Sequence, residues 1–87
     1  MAQIYRVTGV VDKVPYPDRE KRLKFLQDTV GGHIEGVTLR GGKYMYVNEE
    51  GLMLGLDPNY KASKLAGIPI VGNAVVLSPD EAESDRS

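Results

Sequence analysis

The chain has 87 residues, a formal net charge of -1, no cysteine and one histidine. That composition excludes disulfides, thiolate metal sites and an imidazole-rich zinc site, and it leaves room for one small core. No apolar run approaches the roughly 18 residues of a membrane helix, so a soluble cytoplasmic protein without a membrane partner is expected.

The charge is uneven. Asp80, Glu81, Glu83 and Asp85 against Arg86 give the last eight residues -3, which leaves +2 on residues 1–79. The organisation expected is one α+β domain over residues 1–78 and a disordered acidic tail over 79–87, because the tail holds no aromatic or β-branched residue to anchor it.

In chain order, Gln3 to Val14 alternates with period two and is rich in β-branched types, the pattern of a first strand. Pro15-Tyr16-Pro17 breaks it, and Asp18 stands at the N-cap of a helix over about 18–30. Leu23, Leu26 and Val30, with Phe25 beside them, form its apolar side, and Gly31-Gly32 ends it through a left-handed residue. His33 to Leu39 and Lys43 to Asn48 are two short strands joined by Arg40-Gly41-Gly42. A turn at Asn48 to Gly51 leads into Leu52-Met53-Leu54, a third strand that completes a meander. Asp57-Pro58 caps a short second helix over about 58–66, which leaves through Gly67. Ile70 to Leu77, interrupted only at Gly72-Asn73, has the near-continuous apolar character of a central strand covered on both faces. The fold expected is a small, mostly antiparallel curved sheet with one main helix and one short one.

Chemistry-bearing motifs are sparse. His33 and Glu35 share a strand face by period two, yet no second histidine or nucleophile motif completes a site. Asn48-Glu49-Glu50-Gly51 is too short for a calcium loop, and Val30-Gly31-Gly32 sits at the carbonyl end of a helix, the wrong end for a phosphate. The basic residues Arg19, Lys21, Arg22 and Lys24 fit a solvated helix face better than a DNA surface, so nucleic acid is not the expected partner. No enzyme activity, cofactor or metal is expected.

Two places suit binding. Tyr44 and Tyr46 share one face of their strand; with Met45 and Val47 turned to the core they form a surface aromatic stripe near Arg40 and Lys43, able to stack a base and pair with phosphate. Asn59 and Tyr60 stand on the rim of the second helix's first turn, where a ligand can reach them. The candidate ligand residues are therefore Arg40, Lys43, Tyr44, Tyr46, Asn59 and Tyr60.

The stretches LQDTVGGHIEGVTL (26–39) and YMYVNEEGLMLGLDPNYKASKLAGIPIVGNAVVL (44–77), through the ordered series VGGHIE, VNEEG, GLDPN, LAG and IVG, resemble an uncharacterised small family, a domain of unknown function of phages, plasmids and their bacterial hosts. The resemblance implies mobile-element origin and a bacterial cytoplasm, and it implies no activity. The expected role is a phage-encoded binding protein that sequesters a nucleotide-derived immune signal of the host. An inhibitor or adaptor of a host protein is the alternative, and a weak nucleic-acid accessory protein a third. Because an 87-residue core without covalent staples is small, a homo-oligomer, a dimer first, is expected to build the site.

Overall fold

A computed structural model describes residues 1–86. Five antiparallel strands form one sheet: β1 (Ala2–Tyr5), β2 (Val11–Val14), β3 (Ile34–Thr38), β4 (Tyr44–Asn48) and β5 (Ala74–Leu77), in the order β2-β1-β5-β4-β3. Helices α1 (Arg19–Val30), α2 (Tyr60–Ala66) and α3 (Pro79–Arg86) complete an α+β fold. The last strand enters between β1 and β4, pairing Ile4 with Val75 on one side and Met45 with Val76 on the other. All four of its residues are buried, as expected of a central strand. Alternation then divides the core. Ala74 and Val76 join Leu39, Met45, Val47 and Ile70 beneath α2, while Val75 and Leu77 join Ala2, Leu26 and Ala82 beneath α1 and α3.

Several local expectations are corrected. The segment from Gln3 to Val14 is a hairpin of two strands, because Gly9 takes a φ of 93° and a turn closes with the Arg6 N–H donating to Val10 O at 2.9 Å. Leu52-Met53-Leu54 is a turn, with Gly55 N–H donating to Leu52 O. No place beside β4 is open to it, since β3 and β5 hold both edges of that strand. Pro58 lies outside α2 and pairs with Val71 in an isolated bridge; Asn59 is the actual N-cap, its side chain accepting from Ala62 N–H at 3.1 Å. Asp18 occupies the N-cap position of α1 without a side-chain cap bond. On α1 the inner face is rotated from the expected one: Leu23 is exposed, and Arg22 takes a half-buried position in line with Leu26.

The largest correction concerns the acidic tail. Residues 79–86 form α3, and Ser87 lies outside the described residues. Ser78 and Glu81 make a reciprocal capping box, with Ser78 N–H donating to Glu81 Oε1 at 2.9 Å and Glu81 N–H to Ser78 Oγ at 3.3 Å. Pro79 fits the first helical position, where an amide proton has no partner to lose. Ala82 is buried against the sheet.

Candidate functional site

The expected tyrosine stripe is half-covered, with a space of about 280 Å³ left between Thr38, the two rings and Asp85. Met45 and Val47 do face the core, so Tyr44 and Tyr46 turn to the opposite face of the sheet, but α3 lies over that face. The two rings meet edge-on, with centroids 5.2 Å apart. The Tyr44 ring lies across Gly36 of β3, in the space a β-carbon there would fill. The Tyr46 hydroxyl donates to Asp85 Oδ2 at 3.0 Å, and the Tyr16 hydroxyl donates to the same oxygen at 2.8 Å. Arg22 pairs with Asp85 Oδ1 at 3.2 Å and lies over the Tyr16 ring, 4.6 Å from its centroid. Burial, and then the adjacent Asp85 carboxylate, push the Tyr16 phenol far above its ordinary value. This cluster holds α3 in place.

Asn59 is also structural. It is 1% exposed, and its amide donates to Tyr5 O at 2.7 Å and Gly72 O at 2.8 Å while its oxygen caps α2. Every polar capacity that matters is used within the fold. Tyr60 beside it points to solvent. Arg40 and Lys43 remain exposed on the β3–β4 turn. Of the six candidates, three are therefore on the surface, and the structure does not gather them with the tyrosine pair. The basic side of α1 is largely spent internally: Arg19 donates to Ser84 O, Arg22 to Asp85, and Lys24 pairs with Asp28.

An acidic-rimmed, partly apolar cleft lies elsewhere. A space of about 310 Å³ opens between the ends of β3 and β4, the 49–56 turn and the 68–71 segment. Val37, Val47 and Ile70 line it, Leu52, Met53 and Ile68 stand at its sides, and Glu35, Glu49 and Glu50 also contribute. Leu52 and Met53 are 82% and 86% exposed, unusual for consecutive large apolar side chains. Buried Asn48 shapes the turn, accepting from Glu50 N–H at 2.7 Å and donating to Val30 O at 3.1 Å. Glu35 and Val37 reach this cleft from β3, which has β4 on one side and, among the described residues, no strand on the other. An edge strand of this kind carries outward-pointing amide and carbonyl groups without partners.

This cleft is hidden in the sequence as long as Leu52-Met53-Leu54 is expected to be a strand of a meander. The available signal was their bracketing by Gly51 and Gly55, which leaves a run too short for a buried strand. Among the described residues no group of three or more His, Asp or Glu side chains is placed to hold a metal, and no helix is long and apolar enough to cross a membrane.

Neither curated proteins nor solved structures provide a match. A family model does match, over residues 6–87, from β2 through α3, and the chain belongs to that family, the domain of unknown function DUF3846.

Proposed function

We propose that the protein is a non-enzymatic binding module that takes an extended segment of a partner protein along the open edge of β3, with apolar anchors in the adjoining cleft. The observation that carries this reading is the exposure of Leu52 and Met53 beside an unpaired strand. Strand addition supplies main-chain hydrogen bonds, and the cleft supplies side-chain selectivity. Glu35, Glu49 and Glu50 select a basic segment by charge. The same carboxylates disfavour a second copy of this chain as the occupant, because a twofold contact sets such a patch against itself. In the phage, plasmid or bacterial setting that the resemblance implies, the partner is a host factor and the module its inhibitor or adaptor. Sequestration of a nucleotide by a tyrosine stripe has less support, since Tyr44 and Tyr46 are half-buried against α3 and the space they line also holds the Asp85 carboxylate, which repels phosphate.

The test is a titration of the isotope-labelled chain with extended peptides that alternate Lys or Arg with Leu, Ile or Val. Saturable amide shifts in residues 34–38 and 49–56, abolished by Met53→Asp and by Glu35→Lys, are expected. Equal binding of acidic peptides, or shifts confined to other surfaces, would contradict it. So would light scattering that shows a wild-type dimer and a Met53→Asp monomer, because the patch would then be a self-contact.

A further inference from the structure

Beneath the β3–β4 turn, on a surface that shares no lining residue with the acidic cleft, a groove of about 500 Å³ separates Thr38, Leu39 and Arg40 from the last turn of α2. Lys64, Leu65, Ala66 and Gly67 form its other wall. We infer that this groove is a second binding site, for a small phosphate-bearing molecule whose organic part rests on Leu65 and Ala66.

Charge makes the first part of the case. Arg40 stands on one wall and Lys64 on the other, and among the described residues no acidic side chain lines the groove and neither cation has an ion-pair partner. Arg6, Arg22 and Lys24, by contrast, each hold a carboxylate within the fold. The carbonyl end of α2 opposes an anion here, but with an effective charge of only about half a unit against two full positive charges. Lys43, also exposed, adds to the positive field from the same turn.

Donor geometry and size make the second part. A phosphate presents several acceptor oxygens; a guanidinium fork and an ammonium group supply donors of two shapes from two sides. Two opposed walls discriminate a bound anion from the diffuse counterions around a single surface lysine. The volume lies within the range of roughly 300 to 1,000 Å³ typical of small-molecule sites. Leu65 and Ala66 add apolar surface that inorganic phosphate cannot use. A phosphorylated ring compound uses both kinds of surface.

The experiment titrates the full isotope-labelled chain with inorganic phosphate and, separately, with adenosine monophosphate. Saturable shifts at Thr38, Arg40 and 64–67 are expected, with the nucleotide bound more tightly than phosphate. Arg40→Gln and Lys64→Gln should each weaken nucleotide binding by about tenfold, the loss of one charge-assisted contact, with the thermal midpoint unchanged. Lys21→Gln, which removes an exposed cation from α1, should leave binding as it was. The inference is overturned by an absence of saturable shifts, by equal affinity for phosphate and nucleotide, by wild-type affinity in both groove variants, or by an equal loss in Lys21→Gln.

Discussion

Tyr46 in the middle of β4 donates its hydroxyl to Asp85 near the end of α3 at 3.0 Å, so a strand face that looks free in the sequence is closed by a residue 39 positions later. Asp85 also receives Tyr16 and Arg22. The acidic tail is thereby turned into a structural element whose charges meet cations of α1.

Deletion of residues 79–87 is expected to destabilise the protein. It uncovers Ala82's contact with the sheet and leaves Tyr16, Tyr46 and Arg22 without their shared carboxylate. The loss should amount to about 2–4 kcal/mol, combining modest apolar burial with two or three hydrogen bonds to a charged group. Chemical denaturation checks it; an unchanged midpoint would show that α3 does not dock.

Tyr16 should give the protein an alkaline weakness. Its phenol is held protonated in the fold, above the value near 10 that an unfolded tyrosine has. An acid whose folded value is raised contributes its stability below the unfolded value and loses it as pH climbs towards the folded one. Stability should therefore fall above about pH 10, and less steeply in Tyr16→Phe than in the wild type. Thermal midpoints of the two proteins between pH 8 and 11 measure the difference; parallel curves would contradict the assignment.

The two glycines after α1 should respond to different substitutions for different reasons. Gly31 has a φ of 84° with open space around it, so Gly31→Ala costs about 1–2 kcal/mol in backbone strain alone. Gly32 has no such angle, but a β-carbon there would come 2.9 Å from Asn48 Nδ2, which donates to Val30 O. Gly32→Val therefore acts by displacing Asn48. Pairing it with Asn48→Ala should give a sub-additive loss in a double-mutant cycle, whereas Gly31→Ala with Asn48→Ala should be additive.

Asn59→Ala should be among the most damaging single changes, at about 2–4 kcal/mol, since it removes a helix cap and strands the buried carbonyls of Tyr5 and Gly72. Urea denaturation measures it. Tyr60→Ala, one position on and exposed, is the contrast: a loss below about 0.5 kcal/mol is expected.

Much of this fold is dictated by local chemistry that reads directly from the residues. Glycine at 31 and 67 ends α1 and α2 with positive φ, Arg40-Gly41-Gly42 joins β3 to β4, and the apolar run ending at Leu77 can only be a strand covered twice. The start of α3 is equally local, since Ser78-Pro79-Asp80-Glu81 is a cap, a first-turn proline and a capping-box partner in sequence order. Its acidity made it look like a solvated tail. Tertiary structure alone decided the rest. Insertion of β5 between β1 and β4 left the Leu52 turn without a partner, docking of α3 half-covered Tyr44 and Tyr46, and Asn59 gained carbonyls from Tyr5 and Gly72. The physical reason is range. A turn or cap is settled by torsions and hydrogen bonds within four or five residues, whereas the exposure of a side chain depends on which distant segment arrives to cover it, and period-two alternation tells the two faces of a strand apart without saying what lies above either.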